Sequence, residues 1–140
     1  MSDCIFCRIV AGDIPSYKIY EDDIVYAFLD LSQTTKGHTL VIPKEHRDNI
    51  FEYDETLAEQ VFSRIPRIAK ALQKAFPDMK GLNIVCNNGE VAGQTVFHSH
   101  VHLIPRYTAE DQFDIQFSDQ SDHYSEQTMS AIATHIQEEL

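Results

Sequence analysis

The residues of this chain best suited to chemistry are three histidines at alternate positions, His98, His100 and His102, in the run His98-Ser99-His100-Val101-His102. An imidazole can move a proton or attack an electrophile near neutral pH, or hold a metal. The segment Phe97 to Ile104 reads as a β-strand. Successive strand side chains point to opposite faces, so the three histidines share one face and Ser99, Val101 and Leu103 share the other. The row is interior and alternating, unlike a contiguous terminal tag. One histidine is often a satisfied core residue, which explains three less readily. Three imidazoles can also hold a catalytic zinc with an open fourth position. Same-face neighbours about 7 Å apart suit that poorly.

Immediately upstream, Asn87-Asn88-Gly89-Glu90-Val91-Ala92-Gly93-Gln94-Thr95 offers glycines, amides and a hydroxyl. These are the materials of a loop that surrounds phosphate oxygens, although Gly and Asn mark ordinary turns too. A second cluster is Cys4-x-x-Cys7, a spacing that serves zinc and redox motifs alike. Cys86 lies in a strand pattern and reads as a small buried hydrophobe. Three cysteines give no disulfide framework, which suits a reducing cytoplasm.

The elements that must position these residues are legible as patterns. Tyr17 to Tyr20, Ile24 to Leu29, Thr39 to Pro43, Leu82 to Cys86 and Phe97 to Ile104 are apolar or alternating runs bounded by Gly, Pro, Asn or Asp. Asp22-Asp23 joins the first two as a hairpin. Asp54 caps a helix whose Leu57, Val61, Ile65, Ile68 and Leu72 share one face, with a kink expected at Pro66. No βαβ repeat is present, so the expectation is an α+β fold with a largely antiparallel sheet and the helix on one side. After Pro105 the chain is polar to Tyr124, and Met129, Ile132, Ile136 and Leu140 then mark an amphipathic C-terminal helix.

At 140 residues the chain suits a single domain, 1–140. Its formal charge of −11 argues against a protein that grips nucleic-acid backbone. Neither a signal peptide nor a run able to span a membrane is visible.

Several blocks together resemble one family. The row His98 to Ile104 is similar to the histidine triad (HIT) signature, and Gly93-Gln94-Thr95-Val96-Phe97 to its approach segment. Cys4-Ile5-Phe6-Cys7-Arg8-Ile9, Gly12-Asp13-Ile14-Pro15, Phe28-Leu29-Asp30-Leu31 and Lys36 to His46 resemble the matching blocks of its Hint-type branch, in order. One departure is Ser99, which stands where the signature prefers an apolar residue; it faces away from the histidines.

The resemblance implies a HIT-like fold: a five-stranded, mainly antiparallel sheet, a long central helix, a short N-terminal helix and a C-terminal helix, with 107–140 more variable. It implies a nucleotide hydrolase acting at the α-phosphorus of purine nucleoside phosphoramidates or dinucleoside polyphosphates. His100 would be the nucleophile, forming a nucleotidyl-histidine, and His102 would donate to a non-bridging oxygen. His98 would assist the leaving group or orientation. Asn87, Gln94 and Thr95 would stabilise the phosphate. Asp30 would bind ribose, with a turn to Ser32 as its alternative reading. Phe6, Ile9, Phe28 and Leu31, with Ile5, would hold the purine, with plain core as theirs. Cys4, Cys7, His46 and His98 would hold a structural zinc, a homodimer would form, and no nucleic acid or membrane would be engaged. The alternative from another class is a zinc-stabilised nucleotide-binding or interaction protein with little turnover.

Overall fold

A computed structural model describes residues 3–140. Its order is α1 (Ile5–Ala11), β1 (Lys18–Glu21), β2 (Val25–Leu29), β3 (Thr39–Pro43), α2 (Glu55–Phe62), α3 (Ile65–Ala75), β4 (Gly81–Val85), β5 (Val101–Arg106) and α4 (Glu126–Gln137). The five strands form one antiparallel sheet in the order β1-β2-β3-β5-β4. The expected strands are present with small shifts at their ends.

Alternation along the strands gives the sheet two different faces. Val25, Ala27, Val41, Val101 and Leu103 pack with Leu57, Val61, Ile65, Ile68 and Leu72 of α2 and α3. On the other face Tyr26, Phe28, Leu40 and Ile42 pack with Phe6 and Ile9 of α1. Asp54 caps α2 through the Leu57 amide, 2.8 Å from its carboxylate. The interruption expected at Pro66 is a break into two helices at Ser63 and Arg64, with Pro66 in the first turn of α3, where its missing N–H is harmless.

The hairpin and this break are joined by one carboxylate. Asp22 accepts from the amides of Ile24 and Val25, from Tyr20 Oη and from Arg64 Nε, all within 2.9 Å. Those donors outweigh its burial and hold its carboxyl well below the usual range.

One departure affects the site. The last strand begins at Val101 instead of Phe97. The Ser99 amide donates to Arg47 O at 2.7 Å, so the chain at His98 and His100 follows the loop after β3 instead of the ladder. Pro105, which cannot donate to a ladder, stays in the strand beyond the last β3 partner, Leu103. Ser99 faces the helices as expected, and its hydroxyl is paired with Tyr53 Oη at 2.8 Å. That bond removes the cost of a hydroxyl among apolar neighbours.

After β5 the chain leaves the body. No residue of α4 is buried, and Met129, Ile132 and Ile136 stand exposed along it. Among the described residues no helix is long and apolar enough to cross a membrane.

Candidate functional site

The sheet face not covered by α2 and α3 carries a cleft of about 340 Å³. Phe6, Ile9, Phe28 and Leu31 line its apolar part, and Asp30, Thr95, His100 and His102 line its polar part. Phe6, Ile9 and Phe28 are also buried core, whereas Leu31 is 82% exposed and reaches the cleft from its rim. The core and pocket readings of these residues are therefore not exclusive, since the core's outer layer is the cleft wall.

His98 and His100 precede β5, yet both rings lie on the α1 side of the sheet. Phe6 meets them edge-on at centroid distances of 5.8 and 5.2 Å, and His100 lies 5.1 Å from His102. Hydrogen bonds fix which nitrogen of each ring carries its proton. His100 Nδ1 lies 2.8 Å from His98 O. A carbonyl only accepts, so Nδ1 bears the proton and the Nε2 lone pair is left for the cleft. At the other ring, the Thr34 amide donates to His38 Nδ1 at 3.2 Å, so His38 Nε2 holds a proton and donates it to His102 Nδ1 at 2.9 Å. His102 then carries its proton on Nε2. The cleft thus meets one imidazole as a lone pair and its neighbour as a donor. Burial first, then the neighbouring His100 and His38, pushes His102 down to about 4. His38 is lowered by its burial, with Asp30 opposing.

His38 was not singled out from the sequence as a site residue. It precedes β3, and only the β3–β5 register, Leu40 opposite His102, brings it beside the row. Asp30, His38 and His102 have their polar atoms within 4.8 Å of one another. A proton already bridges the two rings, and Asp30 Oδ2 stands 3.6 Å from His38 Nε2, close enough to act on it by charge but not to take its hydrogen bond. Asp30 does form the turn with Ser32, whose amide lies 2.7 Å from Oδ1. A carboxylate has about four acceptor positions, so the turn leaves capacity facing the cleft.

The other expected residues divide. Gln94 is 2% exposed and does not line the cleft. Its amide nitrogen donates to Asp48 O and Val96 O, and its oxygen accepts from the Gly89 amide. Gln94 therefore braces the loop and has no group left for a phosphate. The amides of Ala92, Gly93 and Gln94 bond to carbonyls of Gly89 and Glu90, which corrects the expectation of a loop that surrounds anions. Asn87 packs near Gly93, and Thr95 lines the cleft.

Cys4, Cys7, His46 and His98 converge with their donor atoms within 4.8 Å of one another. Cys4 is the N-cap of α1, and the Cys7 amide donates to its sulfur, so one helical turn brings the pair together. His98 Nδ1 lies 3.3 Å from Cys4 Sγ, 3.5 Å from Cys7 Sγ and 3.1 Å from His46 Nδ1. The far nitrogens are committed: His98 Nε2 donates to Pro43 O at 2.8 Å, and His46 Nε2 to Asp48 at 2.9 Å. Two Nδ1 lone pairs therefore face each other beside two sulfurs, an arrangement that repels unless a cation sits between them. A tetrahedral site of two nitrogens and two sulfurs has N–S edges of about 3.6 Å and an N–N edge of about 3.3 Å, close to these distances. The donor set fits a metal ion, and Pro43 O and the Asp48 carboxylate already hold the two rings by their far nitrogens.

Of the two roles expected for His98, this geometry favours the metal ligand over the leaving-group assistant. His98 is fully buried and has both ring nitrogens engaged away from the cleft, so it cannot reach a leaving group. Its contribution to the site is its carbonyl, which sets His100.

A family model described as the HIT domain matches residues 11–109. The chain belongs to the HIT family. A Bacillus subtilis relative called protein hit is 51% identical over 99% of this chain and 94% of its own length. An adenosine 5'-monophosphoramidase from Schizosaccharomyces pombe is 41% identical over 74% of each chain. An adenylylsulfatase from Arabidopsis thaliana is 40% identical over 75% of this chain and 53% of its own. The crystal structure of a Bacillus subtilis HIT family member superposes with a TM-score of 0.95 at 51% identity, covering 99% of this chain and 97% of that one. A zinc-bound HIT protein from Mycobacterium smegmatis superposes at 0.75 with 33% identity, covering 99% of both. Membership makes this chain a HIT nucleotide hydrolase in the broad sense.

The His102 shift gives a stability test. The folded value of about 4 lies below the ordinary 6.5, so the unfolded chain binds more protons between them. This histidine's contribution is complete above pH 6.5 and is lost as pH falls towards 4. Urea denaturation at pH 7 and pH 5 is expected to show a smaller drop for His102→Gln than for the wild type. Equal drops would place the acid sensitivity elsewhere.

Proposed function

We propose that this HIT protein hydrolyses purine nucleoside phosphoramidates or dinucleoside polyphosphates at the α-phosphorus and releases nucleoside monophosphate. The observation that carries this reading is the opposed pair of tautomers: an Nε2 lone pair on His100 and an Nε2 proton on His102, 5.1 Å apart by ring centroids in one cleft. A nucleophile and an oxygen-binding donor are what displacement at phosphorus asks of a protein. In the proposed reaction His100 Nε2 attacks phosphorus, a P–N bond forms, the bond to the leaving group breaks and that group takes a proton from solvent. Water then attacks the nucleotidyl-histidine and gives up its proton to solvent, the P–N bond breaks and the lone pair returns. His102 donates to a non-bridging oxygen throughout, Asp30 accepts from ribose hydroxyls, and Phe6, Ile9, Phe28 and Leu31 hold the purine. The names of the fission yeast and Arabidopsis relatives support adenylyl substrates.

We assign the cation of the Cys4, Cys7, His46 and His98 cluster as zinc, on its two thiols and two imidazoles and the closed donor set. When bound it ties α1 to the histidine segment and takes no part in the cleft. The exposed apolar face of α4 supports a homodimer, because a 12-residue helix is marginal alone in water. Free thiols at Cys4, Cys7 and Cys86 suit a reducing cytoplasm.

The first experiment mixes purified protein with an adenosine phosphoramidate and, separately, with diadenosine polyphosphates. Monophosphate release by the wild type and at least a thousandfold less by a folded His100→Ala is the expected result, in line with loss of a nucleophile. Tight monophosphate binding without release from either substrate would favour the binding protein over the enzyme. Metal analysis should find about one zinc per chain. A chelator should lower the melting temperature of the wild type but not of Cys4→Ser/Cys7→Ser, and activity lost with the fold intact would refute a purely structural zinc. Sedimentation at micromolar concentration should give a dimer; a monomer would refute that assignment.

A further inference from the structure

One wall of the cleft carries a polar pair that the reaction above does not use. The segment between α1 and β1 contributes Ile14, Pro15 and Ser16, and α1 contributes Ile5, Phe6 and Ile9. Ser16 is the one side chain on that wall with a hydrogen-bonding group. The other polar lining residues come from elsewhere: Asp30 and Ser32 follow β2, and Thr95, His100 and His102 belong to the histidine segment. Those are the ribose and phosphate groups of the proposed reaction, so Ser16 faces the part of the cleft left for the base.

Ser16 Oγ lies 2.8 Å from Tyr26 Oη. Tyr26 is 8% exposed and packs in the cluster of Phe6, Ile9 and Phe28 behind this wall, 5.8 Å from Phe28 by ring centroids. The two hydroxyls share one hydrogen bond, which either can donate. With Tyr26 as the donor, Ser16 accepts with one lone pair. The Ser16 proton is then free, and the Tyr26 bond fixes the oxygen from which it swings. An alanine and a phenylalanine would close this wall equally well by packing alone. The hydroxyl pair adds a directed donor at the end of an otherwise apolar slot, where planar rings are held by their faces and told apart by their edges.

We propose that Ser16 reads the edge of the nucleobase by donating a hydrogen bond to an acceptor atom on it, and that Tyr26 is the positioning residue that aims Ser16. This rests on the nucleotide reading of the cleft. It supplies what the apolar residues cannot, since hydrophobic walls accept any flat ring of suitable size. The ligand class is a purine with an acceptor nitrogen on the edge turned to Ser16. In such a site, loss of the acceptor leaves a desolvated hydroxyl without a partner.

The test measures binding by calorimetry for wild type, Ser16→Ala and Tyr26→Phe. The ligands are AMP, its 1-deaza, 3-deaza and 7-deaza analogues, and ribose 5-phosphate. The wild type is expected to bind one deaza analogue about tenfold more weakly than AMP, as for one hydrogen bond. Ser16→Ala should weaken AMP by a similar factor, bind AMP and that analogue equally, and leave ribose 5-phosphate unchanged. Tyr26→Phe should lose part of the discrimination, and the double variant should lose no more than Ser16→Ala. The proposal is overturned if Ser16→Ala binds AMP as the wild type does. It is overturned equally if that variant weakens AMP and ribose 5-phosphate alike, which would make the pair a strut of the wall. Should the wild type bind neither AMP nor ribose 5-phosphate, the nucleotide reading itself falls; binding of both with no deaza preference defeats the Ser16 proposal alone.

Discussion

The hydrogen bond from His100 Nδ1 to the carbonyl of His98 is the interaction on which this molecule's chemistry depends. It selects the tautomer that leaves a lone pair in the cleft. Its acceptor stays in place because the His98 ring is anchored on both sides, to Pro43 O and to the cysteine and histidine cluster. The cluster is remote from any ligand in the cleft and is joined to the His100 ring through one peptide carbonyl. On the other side, Thr34 orients His38 and His38 orients His102. Two independent chains of hydrogen bonds, one from each end of the histidine row, set opposite protonation patterns on adjacent rings.

Neutrality is part of the same design. Burial penalises an imidazolium, so His102 stays uncharged at pH 7 and donates through a neutral N–H. A charged His102 would put a second proton on Nδ1, facing the proton of His38 Nε2. The arrangement therefore works in one protonation state, and burial favours that state.

Much of this was legible in the sequence. The antiparallel α+β sheet followed from alternation and turn residues, and the helix break followed from Pro66. The convergence of Cys4, Cys7, His46 and His98, and the apolar wall beside His100, followed from a resemblance carried by many short blocks in order. What failed were roles that depend on where a hydrogen bond goes. Gln94 has the right chemistry for a phosphate, but the loop consumes it. His98 has the right chemistry for proton transfer, but its ring is spoken for. His38 and Ser16 were invisible for a different reason: each becomes interesting only beside a residue on another strand, His102 and Tyr26. Composition names the available groups, whereas strand register decides which of them meet.

The Asp22 carboxylate lies outside the cleft and still bears on it. With donors from the β1–β2 turn, from Tyr20 and from Arg64 at the helix break, it fastens the hairpin to the start of α3. Strand β2 carries Phe28 and Leu29 and leads directly into Asp30, all three of which line the cleft. The hairpin therefore cannot open as a small, independent fluctuation, because opening strips four donors from one partly buried carboxylate and frees the helix as well. The cleft's floor belongs to a cooperative unit much larger than itself, and its low-energy motions are confined to the rim, where Leu31 and Thr95 stand exposed.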